Sequence, residues 1–224
     1  MTSVLERLRG GLVVSCQAYS EEPMRHPDTM ARIAEACVLG GAVGIRVQGL
    51  DDVAATRARV DAPVIGLWKD GHADVFITPT LGHAQAVRDA GADVVALDGT
   101  RRTRPDGLTL AETVARLTAS GPVLVMADCG SADDALAARD AGVDVVGTTL
   151  AGYTGERSHG DGPDLELVGQ LCALLPDVPI VAEGRYATPD QVRAALDLGA
   201  YAVVVGTAIT HPTTLTAGFV AATR

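Results

Sequence analysis

Two side chains of this 224-residue sequence stand out as groups that can move a proton, Lys69 and Glu183. Lys69 ends the apolar run VIGLWK and Glu183 ends the run IVAE. Short, unalternating apolar runs of this kind are typical of parallel strands covered on both faces. A lysine whose pKa is lowered and a glutamate whose pKa is raised by burial under a ligand are suited to acid-base chemistry. The pair is therefore a candidate for removing a proton from one face of a carbon and returning it to the other.

The same residue types also fit simpler roles. A lysine and a glutamate at one end of a barrel can form an ion pair that only fixes the structure. The lysine can also serve only to neutralise a phosphate group. The spacing of the two residues does not distinguish these roles from proton transfer.

Eight apolar runs recur along the chain, and each is a candidate strand. They end at Gln17, Gln48, Lys69, Asp98, Asp128, Thr148, Glu183 and Gly206. The mean step is about 27 residues, which is close to the repeat of a (β/α)₈ TIM barrel. An open doubly wound sheet is the rival fold, but no GxGxxG motif opens the first helix. In a ring of eight strands the third and the seventh face each other, which brings Lys69 opposite Glu183.

Helical patterns fill the gaps between these runs. They cover residues 27–39, 50–60, 81–90, 109–119, 131–141, 164–175, 188–198 and 213–222. Several end in an alanine-glycine turn, where glycine adopts the left-handed conformation that ends a helix. We predict an α/β protein with a single TIM-barrel domain over residues 1–224, preceded by a short N-terminal helix at about residues 3–9.

The last strand–helix–strand unit, residues 178–210, has glycines at the carboxyl ends of both strands, Gly184 and Gly206. Glycine lets backbone N–H groups approach an anion closely, and a following helix N-terminus adds a favourable dipole. The loops after strands seven and eight are the usual phosphate site of such barrels. We therefore expect a phosphate site here.

Further polar residues are predicted at the same end of the barrel. Arg46 and Gln48 lie two apart on one strand and so face the same side, and Gln17 and Asp128 end strands one and five. Residues 148–155 form a polar loop that is suited to closing over a ligand. The alternatives are polar residues that only fill the end of the barrel, and an ordinary surface loop.

Composition limits the class of partner. The formal charge of -10 argues against nucleic acid or an anionic membrane as the main partner. The N-terminus lacks the apolar core of a signal peptide, and the four cysteines form no CxxC, so we expect a cytoplasmic protein with reduced thiols. The five histidines form no HxH or HExxH motif, and we therefore predict no metal.

Taken together, these motifs resemble the N-acetylmannosamine-6-phosphate 2-epimerase family over residues 11–212. The resemblance implies a TIM-barrel enzyme of sialic acid catabolism that interconverts N-acetylmannosamine 6-phosphate and N-acetylglucosamine 6-phosphate without metal, cofactor or nucleotide. The matching segments are SCQA (15–18), GIRVQG (44–49), IGLWK (65–69), ITPT (77–80), ALDGTRRTRPDG (96–107), MADC (126–129), TTLAGYT (148–154), VAEGRYATP (181–189) and VVVGTAIT (203–210).

The resemblance assigns roles by position. Lys69 and Glu183 match the proton-transfer pair, which agrees with the argument from the strand ends. The residues that match or lie near substrate contacts are Gln17, Arg46, Gln48, Asp128, Thr148 and Tyr153, and those at the phosphate end are Gly184, Arg185, Gly206 and Thr207. The expected partner is a phosphorylated N-acetyl amino sugar, and the assembly considered is a homodimer.

One position departs from the family pattern. After GTAIT the family usually continues with arginine and proline, whereas this chain has His211 and Pro212. If that arginine contacts phosphate, histidine is a weaker and pH-dependent substitute.

Two other functions remain open at the level of sequence. One is another phosphate-binding barrel, an isomerase or a synthase. The other is a barrel that senses amino-sugar phosphates without converting them. Exchange of the hydrogen at carbon 2 in heavy water separates these from an epimerase, because only proton abstraction produces exchange.

Overall fold

The computed structural model describes residues 3–19, 21–71 and 74–223. Eight parallel strands pair in sequential order and close into a barrel, which confirms the predicted (β/α)₈ fold. The strands are β1 Leu12–Cys16, β2 Gly44–Gln48, β3 Val64–Leu67, β4 Val94–Asp98, β5 Leu124–Asp128, β6 Val145–Gly147, β7 Ile180–Glu183 and β8 Ala202–Val205.

Helices connect the strands on the outside of the barrel. They are α1 Val4–Leu8, α2 Pro27–Leu39, α3 Leu50–Arg57, α4 Leu81–Asp89, α5 Leu110–Ala119, α6 Ala132–Asp140, α7 Leu165–Leu174, α8 Pro189–Asp197, α9 Thr207–Thr210 and α10 Pro212–Ala221. The predicted alanine-glycine turns have the expected conformation, because Gly91, Gly142 and Gly199 all have positive φ angles. Thr188 caps α8 in a capping box with Gln191.

Helix α1 closes the amino-terminal end of the barrel. Leu8 is buried among the side chains that fill the barrel interior, and Tyr201 Oη donates a hydrogen bond of 2.8 Å to the carbonyl of Leu5. Residue 44 must be glycine, because a Cβ atom there would lie 2.5 Å from Leu8 Cδ2. With this end filled, the open end for a ligand is the carboxyl-terminal one.

The eighth repeat differs from the other seven. After β8 the chain forms the short helix α9, which the sequence did not predict, and Thr210 Oγ1 donates to the carbonyl of Ser15 at 2.8 Å. The helix predicted at 213–222 is present as α10, but none of its residues is buried. In the part of the chain that the structure describes, no helix is long and apolar enough to span a membrane.

Candidate active site

A cavity of about 600 Å³ lies at the carboxyl ends of the strands. Lys69, just beyond β3, and Glu183, the last residue of β7, both line this cavity. The closed strand order places β3 and β7 four positions apart in the ring. The sequence predicted that strands three and seven face each other across the barrel, and in the structure the side chains of Lys69 and Glu183 line the same cavity.

A buried ionic network forms the floor below this cavity. Arg46 is 1% exposed and makes a two-pronged contact with Asp128, through Nη1 to Oδ1 at 3.1 Å and Nη2 to Oδ2 at 2.7 Å. The same Nη1 lies 3.2 Å from Oε2 of Glu183. Burial opposes the charge of the guanidinium, but the two carboxylates more than offset it and raise the pKa of Arg46. Arg46 and Asp128 were expected as substrate contacts; in the structure neither lines the cavity, and they pair with each other beside Glu183, which does.

Glu183 is held in this network in an unusual electrostatic setting. Burial raises the pKa of its carboxyl group above the ordinary value, the charge of Arg46 opposes that shift, and Asp128 adds to it. A carboxyl group with a raised pKa is suited to holding a proton near neutral pH and giving it up again.

Thr149 lies between the two carboxyl groups. Its Oγ1 is 2.8 Å from Asp128 Oδ1 and 2.9 Å from Glu183 Oε2. A hydroxyl group has one proton and donates one hydrogen bond at a time. If Thr149 donates to Asp128, a protonated Glu183 can donate to Thr149; if Glu183 is ionised, the hydroxyl can turn and donate to it. The site therefore accommodates both protonation states of Glu183.

Lys69 is the only lysine of the sequence. Burial lowers the pKa of its amine, and the positive charge of Arg46 lowers it further, while Glu183 and Asp128 partly oppose the shift. Within the described residues the amine makes no salt bridge, so the ion pair considered from the sequence is not formed with Glu183. A lysine amine with a lowered pKa that faces a cavity is suited to proton transfer.

The loop after β6 corrects one sequence expectation. Thr148 was expected to contact substrate, but it does not line the cavity; its Oγ1 donates to the carbonyl of Glu183 and accepts from the amide of Glu183, both at 2.9 Å. Side chains alternate along a strand, so Val145, Gly147 and Thr149 face inwards and Thr148 does not. Its neighbour Thr149 is the residue that reaches the cavity.

Three other expected substrate contacts do line the cavity, namely Gln17, Gln48 and Tyr153. The Nε2 of Gln17 donates to Ser15 Oγ at 2.8 Å, and its buried Oε1 has no partner among the described residues. A buried acceptor without a partner is costly, so this oxygen is available to a ligand donor. Tyr153 is 56% exposed and lies over the guanidinium of Arg185.

All four residues of the expected phosphate end line the cavity: Gly184, Arg185, Gly206 and Thr207. Gly184 and Arg185 both have positive φ angles, 113° and 59°. The guanidinium of Arg185 donates to the carbonyls of Ala151 at 2.8 Å through Nη1 and Gly162 at 2.9 Å through Nε, so it holds the loop after β6. The backbone turn remains the better candidate for contact with a phosphate group.

The cavity also contains residues that sequence reasoning missed. Among them are Ser15, Arg25, Trp68 and Thr149. Ser15 and Thr149 could have been predicted from the sequence, because each lies two residues from another inward-facing position and side chains two apart on a strand face the same side. Arg25 lies in the loop before α2 and pairs with buried Asp52 at 2.8 Å, a contact that no local pattern predicts. Among the described residues, no cluster of three or more His, Cys, Asp or Glu could hold a metal ion.

The fold and this site define a class of barrel protein in which an amine and a carboxyl group share one cavity beside a glycine-flanked turn. Comparison with known proteins narrows the class. Residues 30–224 match the sequence model of a family described as "Putative N-acetylmannosamine-6-phosphate epimerase". The chain belongs to this N-acetylmannosamine-6-phosphate epimerase family.

Individual relatives agree with this assignment. A Cutibacterium acnes protein given the corresponding 2-epimerase description is 61% identical over 217 residues, covering 96% of this chain and 95% of the relative. A relative from Caldanaerobacter subterraneus subsp. tengcongensis with the same description is 45% identical, covering 97% and 92% of the two chains. The solved N-acetylmannosamine-6-phosphate 2-epimerase of Clostridium perfringens superposes with a TM-score of 0.93 at 37% identity, covering 98% of this chain and 96% of that one.

Proposed function

We propose that the protein is an isomerase that interconverts N-acetylmannosamine 6-phosphate and N-acetylglucosamine 6-phosphate by inverting carbon 2. The observation that carries the proposal is that Lys69 and Glu183 line one cavity with pKa values shifted towards each other. Family membership supports the choice of substrate. The role in sialic acid catabolism follows from that substrate.

The reaction begins with the open-chain sugar, whose aldehyde acidifies the hydrogen at carbon 2. One of the two groups removes this proton, and the electron pair of the broken C–H bond moves into the enolate. The other group then delivers a proton to the opposite face of carbon 2. No net proton or electron is consumed.

This chemistry needs one protonated and one unprotonated group at the start of each turnover. The pair holds one proton when either group is protonated and the other is not, and the lowered pKa of Lys69 and the raised pKa of Glu183 bring these two arrangements closer in free energy. A proton on Glu183 leaves the lysine as base, and a proton on Lys69 leaves the carboxylate as base. The two arrangements serve the two directions of the reaction.

The enolate needs electrostatic support, because an aldehyde alone leaves carbon 2 a weak acid. The charge of Arg46, which contacts Glu183 on the cavity wall, supplies part of this support, and the side-chain amide of Gln48 is a donor that lines the cavity. The phosphate group is held at the turn of Gly184 and Arg185 and at Gly206 and Thr207, where backbone N–H groups can approach it.

Isotope exchange tests this proposal. Protein is incubated with N-acetylmannosamine 6-phosphate in heavy water, and NMR follows deuterium at carbon 2 together with formation of the other epimer. Wild type is expected to show both, whereas Lys69→Met and Glu183→Gln are each expected to form no epimer while still unfolding cooperatively. Deuterium exchange should be lost only in the variant that lacks the base acting on this substrate, because the remaining group of the other variant can still remove and return a proton on its own face. Tight binding without exchange in wild type would instead support a sensor, and full activity in either variant would remove that residue from proton transfer.

We also propose that the protein is cytoplasmic and forms a homodimer. All four cysteines are free thiols, as expected in a reducing compartment. Helix α10 exposes Leu215 and Phe219 four residues apart on one face, Phe219 being 79% exposed, and apolar faces of this kind favour association. Sedimentation equilibrium should give twice the chain mass for wild type and a monomer for Phe219→Asp. A monomeric wild type would contradict the homodimer.

A further inference from the structure

The ladder between β3 and β4 stops before the carboxyl ends of the two strands. They pair at Ile65 with Val94 and at Gly66 with Val95. Beyond these pairs residues 77–78 lie between the two strands, with hydrogen bonds to both. Ile77 in this inserted segment pairs with Lys69, which lines the cavity.

Thr78 joins both strands at the point where they separate. Its amide donates to the carbonyl of Trp68 at 2.7 Å, and its Oγ1 accepts from the amide of Trp68 at 3.1 Å. The same Oγ1 donates to the carbonyl of Ala96 at 2.6 Å. The hydroxyl of Thr78 therefore bonds the amide of Trp68, just beyond β3, and the carbonyl of Ala96, on β4. It replaces hydrogen bonds that direct pairing of the two strands would otherwise make.

The backbone of Thr78 is strained. Its φ angle is 45°, a conformation that a β-branched residue rarely adopts. In the described part of the chain, Thr78 and Arg185 are the two non-glycine residues with positive φ. Glycine would relieve the strain at residue 78 but would have no hydroxyl to bridge the strands. Strain of this kind persists where the surrounding contacts determine the conformation, commonly at functional sites.

A buried arginine holds the same turn from the other side. Arg104 is 4% exposed and donates to the carbonyl of Thr78 at 2.7 Å and to the carbonyl of Asp98 at 2.8 Å. The amide of Asp98 in turn donates to the carbonyl of Ile77 at 3.0 Å. The inserted segment is therefore fixed to the end of β4 as well as to β3.

These contacts bear directly on Lys69. Both backbone groups of Trp68 are bound by Thr78, and Lys69 itself pairs with Ile77 in an isolated antiparallel bridge. In the described residues the Lys69 amine has no salt bridge, so no ionic contact holds it. The point from which the Lys69 side chain starts, and therefore the range of positions that its amine can reach in the cavity, depends on these backbone contacts.

We infer that Thr78 is a positioning residue for Lys69, and that its hydroxyl sets where the lysine amine stands relative to the reacting carbon. This inference rests on the proposed function, since it assumes that Lys69 transfers the proton. Arg104 is a second, more distant support of the same turn.

The test compares Thr78→Val, which removes the hydroxyl and keeps the shape, with Thr78→Ser, which keeps the hydroxyl. In Thr78→Val we expect kcat to fall about 100-fold, as for a catalytic group displaced by about 1 Å, with KM little changed. Because Lys69 is the only lysine, its pKa can be followed by the pH dependence of its acylation, measured by peptide mass spectrometry. This pKa should rise towards the ordinary lysine value in Thr78→Val and stay close to wild type in Thr78→Ser.

Thr113→Val is the matched control. Thr113 is also fully buried and its Oγ1 donates to the carbonyl of Thr109 at 2.9 Å, but it lies on α5 away from the cavity. It should leave kcat and the Lys69 pKa unchanged. If Thr78→Val does not fold, Arg104→Gln is expected to shift both quantities in the same direction by less.

The outcomes separate this inference from the proposed function. If Lys69→Met retains activity, the proposed function fails whatever Thr78 does. If Lys69→Met is inactive, the proposed function stands. If in that case Thr78→Val has wild-type kcat and an unchanged Lys69 pKa, only the inference about Thr78 fails. Arg104→Gln replaces Thr78→Val in this comparison if the valine variant does not fold. A Thr78→Ser variant as impaired as Thr78→Val would also overturn it.

Discussion

The Oγ1 of Thr149 lies 2.9 Å from Oε2 of Glu183 and 2.8 Å from Oδ1 of Asp128. Because this hydroxyl can turn, it is a partner for Glu183 whether the carboxyl group is protonated or ionised. An epimerase that works in both directions visits both states. We therefore expect Thr149 to support catalysis without itself exchanging a proton with carbon 2.

Replacing this hydroxyl should impair turnover. In Thr149→Val the carboxyl groups of Asp128 and Glu183 each lose a hydrogen-bond partner. A buried polar group left without a partner costs about 1–3 kcal/mol. We expect kcat to fall by about tenfold or more in Thr149→Val and to stay near wild type in Thr149→Ser, measured in both directions. Equal kcat values in the valine variant and wild type would show that the hydroxyl is dispensable.

The positions of the catalytic pair followed from the sequence because they depend on regular features. Counting eight strand ends gives the ring, and the ring places strands three and seven opposite each other. Lys69 and Glu183 could therefore be brought together although they are far apart in the chain. Helix bounds were predicted to within a few residues because caps and alanine-glycine turns mark them.

The contacts below and around the pair did not follow from the sequence. Arg46 was expected to contact substrate, and its pairing with Asp128 was not predicted. Asp128 lies on a strand three places away in the ring, so only closure of the barrel brings the two side chains together. Thr148 was expected at the site because strand six was predicted to end there, whereas β6 ends at Gly147. Neighbouring side chains face opposite sides of a strand, so it is Thr149 and not Thr148 that lines the cavity. The insertion of Thr78 between two strands has no periodic pattern to reveal it.

A second prediction concerns the stability of the protein. The pKa of Lys69 is lower in the folded protein than in the unfolded chain, so the folded state binds this proton less tightly. The resulting destabilisation is fully present below the folded-state pKa, decreases as pH rises through it, and vanishes above the ordinary lysine pKa of about 10.4. Each unit of lowering corresponds to about 1.4 kcal/mol.

Lys69→Met should therefore be inactive but more stable than wild type at pH 7. Urea unfolding followed by circular dichroism measures the free energy of unfolding, and the gain should shrink when the same pair is compared at pH 10. A variant less stable than wild type at pH 7 would show that burying the amine costs the fold nothing.

Arg185 provides a third prediction. Its guanidinium holds the carbonyls of Ala151 and Gly162, so Arg185→Ala should loosen the loop between them. We expect KM to rise several-fold, on the order of the 1–3 kcal/mol that a lost charged hydrogen bond represents. Trypsin should also cleave faster after Arg157 in this loop. The control is Arg193→Ala, an exposed arginine on α8 whose acidic neighbour Asp197 is 3.9 Å away; if both variants behave alike, Arg185 has no special role in the loop.

The final prediction concerns His211, which lines the cavity where the family usually has arginine. Its Nδ1 lies 2.7 Å from Thr214 Oγ1, its Nε2 pairs with Glu22, and its ring lies against Tyr19. The guanidinium of an arginine always carries a positive charge and can bind a phosphate group through two N–H donors, which an imidazole cannot do. We therefore expect an arginine at residue 211 to attract a phosphate group at this end of the cavity more strongly than His211 does.

His211→Arg should lower KM with little change in kcat. A gain of about 1.4 kcal/mol in binding corresponds to a tenfold lower KM. We expect the decrease in KM to be no larger than this, because Glu22, which pairs with His211, remains to compete for the new charge. Steady-state kinetics with the same phosphorylated sugar measures the ratio of the two KM values. If the two KM values are equal, residue 211 does not act on the phosphate, and the turn around Gly184 and Gly206 binds the phosphate without help from this side chain.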